Sequence, residues 1–396
     1  MKYVAKRHIT KENLDVAHSN TILSQLLSLV PRHVFTQAER EYPTERKARV
    51  FSRWNQFVCL AFIHLAARHS MRDGLRNLAV NARKLYHLGA KPVARSTFSD
   101  ANNNRSADFF QALFGEMYTR CQAISPVHRF RFKNRLFSLD ASTIKLSLEQ
   151  FPWASFREKR GGIKLHALLD HDGHIPSFLE ITDARQHESK IAQAMALPKG
   201  SIVVFDRGYV CYRWFLALIQ AGVFFVTRQK KNMSYKVLER CPVKKKQGVT
   251  SDQIIQVMSG GKPLKLRRVS YRDAKTGEHF VYLTSHFTLS ARTIAEIYKE
   301  RWQIEIFFRL IKQNLKIKRF VGTSKNAVLS QIYVAMIMYL LVAYLKFTSR
   351  IGWSIQEMMQ LLQLNVFKRT NLEAFFKPPD RMSKIKDGYP LLGLAS

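Results

Sequence analysis

Acidic residues are scarce. Only 29 Asp plus Glu stand against 64 Lys plus Arg in 396 residues, a formal net charge of +35. A globular chain with that much like charge repels itself unless a polyanion neutralises it, which points to nucleic acid and to binding that weakens as salt rises. Cysteine is scarce too. Cys59, Cys121, Cys211 and Cys241 form no Cys-x-x-Cys pair, which argues against a disulfide framework or a thiolate zinc site and suits a reducing cytoplasm. The longest apolar run, IYVAMIMYLLVAYL over 332–345, has 14 residues and ends at Lys346. A membrane span needs roughly 18, so this run reads as a buried helix, with no membrane partner. The opening MKYVAKRHITKENLD holds no apolar stretch of signal-peptide length, and no internal repeat or low-complexity tract occurs.

What is present is enough to fold. Hydrophobic residues make up 46% and aromatics 12% of a chain long enough for one large domain or two to three ordinary ones. Residues 20–125 read as helical: NTILSQLLSLV stops at Pro31, and RWNQFVCLAFIHLAARH and SADFFQALFGEMYTRCQA repeat at 3–4 residues. Between them KLYHLGAKPVARSTFSDANNNR breaks the helices into short pieces. Such short basic helices suit a DNA groove, and an ordinary helical bundle with basic faces fits the same pattern. The texture then changes. RLFSLDASTIKLSL (135–148) reads as a strand, GGIKLHALLDHDGHIPSFLEIT (161–182) as two strands joined at DHDG, and SIVVFDRGYV (201–210) as a short strand before the helix YRWFLALIQAG. That order predicts a mixed α/β sheet. Residues 223–290 read as a very basic, β-rich insertion, and the tail from 376 as loosely held.

The chemistry rests on three acids. IYKERWQIEIFFRLIKQNLKI, residues 297–317, has helical spacing. At about 100° per residue, Tyr298, Arg301, Glu305 and Lys312 fall within one arc of about 60°, and apolar residues cover much of the rest. Glu305 could equally pair with Arg301 or Arg309 as an ordinary i,i±4 ion pair. Asp140 follows RLFSL and Asp206 follows SIVVF, so both acids stand at or near the ends of apolar strands, where an unpartnered carboxylate is costly. Singly, each Asp could be a turn or cap residue. Three converging carboxylates with few other ligands would suit Mg²⁺ or Mn²⁺, two of which can drive phosphoryl transfer.

Tyr298-x2-Arg301-x3-Glu305-x6-Lys312, with LFSLDAST, KLHALLDHDGHIP and VVFDRGY in order before it, resembles the IS4 family of bacterial insertion-sequence transposases. The N-terminal segments ILSQLLSLVPRHVF and FSRWNQFVCLAFIHLAARHSMRDG are similar to the same family, so the resemblance covers most of residues 20–345. It implies an RNase H-like catalytic core at 130–350, after a helical DNA-binding domain at 1–125 and before a C-terminal region at 351–396. It implies a catalytic and metal-binding triad of Asp140, Asp206 and Glu305, whose members lie 66 and 99 residues apart. It also implies cut-and-paste transposition, often through a hairpin at the transposon end, on double-stranded DNA: the element's own inverted repeats and its target.

The resemblance further implies two Mg²⁺ ions (with Mn²⁺ able to substitute), a homodimer on DNA, and a bacterial cytoplasmic, nucleoid-associated location. On this reading Arg301 and Lys312 hold phosphates and Tyr298 bonds a phosphate or stacks on a base. Arg207 and Tyr209 are expected to touch DNA, with Gly208 allowing the turn after Asp206. Lys164 and His166 share one face of a strand expected beside Asp140, and His187 and Glu188 are weaker candidates. Family members use an insertion Trp to fill the place of a flipped base, and residues 223–290 contain none. Trp214, Tyr235, Tyr271, Tyr282 or Phe287 would have to substitute. A DNA-binding relic without activity, or a host nuclease on the same fold, are the competing readings.

Overall fold

The computed structural model describes residues 20–44, 51–68, 70–157, 160–183, 188–243, 247–315, 317 and 320–377. LFSLDASTIKL forms the central strand β1 (Leu136–Leu146). Its first four residues are buried, and beyond Asp140 burial alternates so that Ile144 and Leu146 point inward. That change marks where the strand leaves the two-sided core and approaches the surface. Strands β2 (Ser155–Arg157), β3 (Arg160–Asp170), β4 (Ile175–Asp183), β5 (Ile202–Phe205) and β6 (Phe224–Arg228) follow. β3 runs antiparallel to β1 and β4 antiparallel to β3, whereas β5 and β6 run parallel to β1. The resulting lateral order β4–β3–β1–β5–β6 is that of an RNase H-like core.

The sheet does not stop there. β7 (Lys236–Arg240), β8 (Val249–Ser259), β9 (Lys262–Arg272) and β10 (His279–Thr284) continue it, because β10 pairs antiparallel with β6. β6, expected as the first strand of the insertion, is a core strand in register with β5 from Ile202↔Phe224 to Phe205↔Thr227. β8 escapes strand patterning because Asp252 and Gln253 interrupt its apolar alternation. Both are buried all the same, Asp252 beneath the Arg267 guanidinium of β9.

Helices cover both faces. Among the described residues seven precede the sheet: α1 (Ile22–Leu27), α2 (Arg32–Glu41), α3 (Arg53–Leu65), α4 (Met71–Val80), α5 (Ala82–Leu85), α6 (Arg95–Asn104) and α7 (Asp108–Gln122). Within and after it come α8 (Glu188–Ala194), α9 (Tyr212–Gln220), α10 (Ala291–Glu300), α11 (Trp302–Gln313), α12 (Lys325–Thr348), α13 (Ile355–Asn365) and α14 (Leu372–Phe375). One face of the inner sheet, with Phe137, Leu139, Val203 and Phe205, packs on Trp214 and Phe215 of α9. The other carries Leu165, Ala167 and Leu169 into a core shared with α11, α12 and the N-terminal helices. Ile294 and Ile297 of α10 pack on Leu136, Ile202 and Val204 of that same face.

All 13 residues of α3 are buried, so it is an internal strut rather than a free recognition helix. α12 is long and apolar enough to cross a membrane, yet 89% of its apolar window is buried inside the protein. His64 of α3 joins these layers. Its Nδ1 lies 2.7 Å from the Leu315 carbonyl oxygen and its Nε2 2.9 Å from that of Gln331. Burial, outweighing those two carbonyls, pushes its pKa down to about 4. An unfolded His titrates near 6.5, so below that pH the unfolded chain takes up a proton that the folded one refuses. Stability should therefore fall as pH drops from 7 towards 4, by about 2 kcal/mol from this ring alone at pH 5. Denaturant midpoints measured at pH 7 and 5 for the native protein and His64→Gln check this. An equal pH response in both would rule it out.

Candidate active site

The helix expected as one unit over 297–317 is two. α10 ends at Glu300 and α11 begins at Trp302, with Arg301 between them. The junction is tight: Arg301 N–H donates to Tyr298 O at 3.2 Å and Ile304 N–H to Arg301 O at 3.1 Å, both three-residue turns. Tyr298 then meets Asp206 while Arg301 reaches Asp140 and Glu305, and the Arg301 guanidinium lies 5.9 Å from the Tyr298 ring centroid.

Asp140 lies mid-way along β1, on the face that bears Ser138 and Ser142, and opposite Ala167 of β3. Asp206 is the first residue beyond β5 and caps the turn Arg207–Tyr209. Glu305 is in the first turn of α11. The Arg301 guanidinium stands between two of the acids, with Nη1 donating to Asp140 Oδ2 at 3.2 Å and Nη2 to Glu305 Oε1 at 2.5 Å. Burial alone would lower the Arg301 pKa, but Tyr298, Asp140 and Glu305 together raise it. Tyr298 Oη donates to Asp206 Oδ1 at 3.2 Å. Burial is the main reason its phenol is pushed up to about 12, so it stays a neutral donor. Lys312 Nζ donates to Ser142 Oγ and, at 3.3 Å, to the Thr143 carbonyl oxygen. Asp140 is oriented further by the Ala141 N–H, 2.8 Å from its Oδ1. Thus Tyr298, Arg301 and Lys312 reach β1 or the end of β5, and Glu305 is joined to β1 through Arg301, by two short helices rather than one.

Other candidates lie elsewhere. Register pairs Lys164 with Thr143 and His166 with Ala141, which turns both to the sheet face opposite Asp140. His166 is buried, lies 3.0 Å from Thr182 Oγ1, and has a pKa pushed down to about 4 by burial and then by Lys164. Arg207 is exposed, but Tyr209 is in the core with its ring centroid 6.2 Å from that of Phe205. Gly208 needs no left-handed backbone, being absent from the positive-φ residues of the described chain. Trp214 is buried against Phe205, and Tyr282 is buried as well, whereas Tyr235 and Phe287 are part-exposed at 36% and 42%. Trp302, immediately after Arg301, is 51% exposed. His187 lies outside the described residues, and Glu188 opens α8. Ser142 was not singled out in the sequence, although strand alternation places it on the face of Asp140.

The donor set fits a hard divalent ion. Asp140, Asp206 and Glu305 offer oxygen only, and Asp140 and Glu305 already share one cation, the Arg301 guanidinium. A family model described as the transposase DDE domain matches residues 131–341, more than half of the chain. The chain belongs to the DDE transposases. A second model, a domain of unknown function (DUF4372), matches residues 18–91. A protein named as transposase y4zB of Sinorhizobium fredii is 34% identical over 298 residues, covering 74% of this chain and 81% of that one. A protein named as the transposase of insertion sequence element IS5377 of Geobacillus stearothermophilus is 28% identical, over 72% of this chain and 74% of its own. One named for element IS4SA of a Synechocystis strain is 22% identical, over 86% and 94%. These names agree with the IS4-type resemblance of the motif. Among solved structures, a piggyBac transposase synaptic complex with hairpin DNA aligns at 12% identity and TM-score 0.41, over 96% of this chain and 83% of that one. As a DDE transposase the protein is a DNA transposase, an enzyme of strand cleavage and transfer that uses divalent metal.

Proposed function

We propose that Asp140, Asp206 and Glu305 are the metal-holding triad of a cut-and-paste transposase acting on the inverted repeats of its own element. The observation that supports this most is the bridge from Arg301 to Asp140 and Glu305, with Tyr298 on Asp206. Bound there, two Mg²⁺ ions (Mn²⁺ able to replace them) supply an activated attacking oxygen and a stabilised leaving oxygen for in-line phosphoryl transfer.

The chain's own groups prepare that chemistry. Arg301 offsets the charge of two carboxylates that would otherwise repel each other, and its planar fork can hold a phosphate bidentately. Tyr298 orients Asp206, and Lys312 sets a point charge at the end of β1. Buried Ile304, Phe307 and Phe308 anchor α11 and so fix the backbone of Glu305. Exposed Arg207 and part-exposed Lys164 add phosphate contacts to an electrostatic field set by the net charge of +35. His166 and Tyr209, both buried, serve the frame. In the N-terminal region Arg72, Arg76, Arg83 and Arg95 are exposed on α4 to α6, which makes those helices the DNA-end contact. The working unit is a homodimer on paired ends, in the cytoplasm at the nucleoid.

A supercoiled plasmid bearing the flanking inverted repeats, incubated with protein and Mg²⁺, tests the reading. Metal-dependent cutting at the repeat ends followed by strand transfer is expected. Salt-sensitive binding without any cutting would leave a DNA-binding relic, and cutting without transfer a nuclease. Arg301→Lys should lower metal affinity or cleavage rate about 10–100-fold, because an ammonium cannot span both carboxylates. Calorimetric Mg²⁺ titration alongside the cleavage rate checks it. Unchanged values for both would remove Arg301 from the site.

A further inference from the structure

Strands β3 and β4 are joined by the turn His171-Asp172-Gly173-His174. Gly173 and His174 both adopt left-handed backbone, φ +72° and +55°, uncommon for a histidine. Position 173 has no room for a side chain, because a Cβ there would come within 2.7 Å of the Phe347 ring of α12. This geometry brings the two imidazoles together with centroids 5.6 Å apart, and Glu300, the last residue of α10, joins them. One ligand atom from each of His171, His174 and Glu300 lies within 4.8 Å of the other two.

The surroundings orient these atoms. His171 Nε2 is 2.7 Å from the buried Ser138 Oγ, which fixes the ring and leaves Nδ1 facing Glu300 Oε2 at 4.0 Å. An imidazole held at one nitrogen by a polar neighbour, with the other turned toward the remaining ligands, is the arrangement that metal-binding histidines use. The other Glu300 oxygen pairs with Arg129, whose side chain is mostly exposed. A cavity of about 310 Å³ opens on the cluster, lined also by His128, Lys346 and Phe347.

We infer that His171, His174 and Glu300 form a second metal centre that takes Zn²⁺, separate from the oxygen-only triad. Two imidazole nitrogens and one carboxylate oxygen are a three-ligand zinc set, and the cavity leaves the fourth position to water. Zinc bonds of about 2.0–2.2 Å place ligand atoms roughly 3.4 Å apart, so shifts of about an ångström close the site. The ion would tie the β3–β4 turn to the end of α10, one residue before Arg301. It would thereby brace the frame of the active site without touching the reacting phosphate. The inference stands on this cluster alone and holds whether or not the triad assignment does.

The test equilibrates metal-free full-length protein with Zn²⁺, removes the excess, and measures bound zinc, its X-ray absorption and the melting temperature. About one zinc per chain, imidazole scattering and a raised melting temperature are expected. His174→Asn removes a ligand with a residue that tolerates left-handed backbone, and should lose both the zinc and the temperature shift. Glu305→Gln should keep both. No retained zinc, zinc retained in full by His174→Asn, or zinc lost in Glu305→Gln would each overturn the inference. Should His174→Asn fail to fold, the absorption spectrum of the native protein decides: imidazole scattering upholds the site and its absence ends it.

Discussion

Glu305→Gln should lower cleavage at the element's ends by about 10³-fold or more, the equivalent of losing several kcal/mol of metal-derived stabilisation. The amide keeps the size of the side chain and can still accept from Arg301 Nη2, so the fold and the α10–α11 junction should survive. What it loses is the negative charge that a divalent ion requires. DNA binding should stay within about twofold, since it rests mainly on the basic surface. Gel-shift affinity and end-cleavage rate, measured on the same preparation, separate the two effects. Cleavage within tenfold of the native rate would remove Glu305 from the triad. Weak binding with weak cleavage would make it a structural residue.

Arg267→Ala should cost about 3–5 kcal/mol of folding stability, the largest effect expected of a substitution remote from the triad. Arg267 on β9 forms a buried bidentate pair with Asp252 of β8, at 2.9 and 2.7 Å. Its remaining nitrogen donates to the Phe287 and Leu289 carbonyls at 3.1 and 2.5 Å, in the segment that leads into α10. Truncation leaves a buried carboxylate and main-chain carbonyls unsatisfied, which costs far more than the pair itself contributes. The double replacement Arg267→Met with Asp252→Leu should recover most of the loss, because both charges leave together. Denaturant midpoints of the three proteins decide. A single-variant loss below about 1 kcal/mol would mean that water reaches this pair. Because the segment ends at the helix bearing Tyr298, a lower cleavage rate at permissive temperature should accompany the loss.

Local pattern carried much of this protein. Apolar runs ending in acids marked β1 and β5, DHDG marked the turn between β3 and β4, and the Tyr-Arg-Glu-Lys spacing pointed to the transposase family that the comparisons bear out. Those features are legible because side-chain period and turn chemistry act over a few residues. Register and packing acted over longer distances. Only the pairing of β1 with β3 turned His166 away from Asp140, and only the core around α9 took Tyr209 and Trp214 out of solvent. Periodicity treated residues 297–317 as one helix, whereas two three-residue turns at Arg301 gave Tyr298 to Asp206 and Arg301 to Asp140 and Glu305. The gathering of His171, His174 and Glu300 joins residues about 130 positions apart in the chain. A chain's local preferences set which segments become strands and helices. Which side chains meet is decided by how those segments bury their apolar faces against one another.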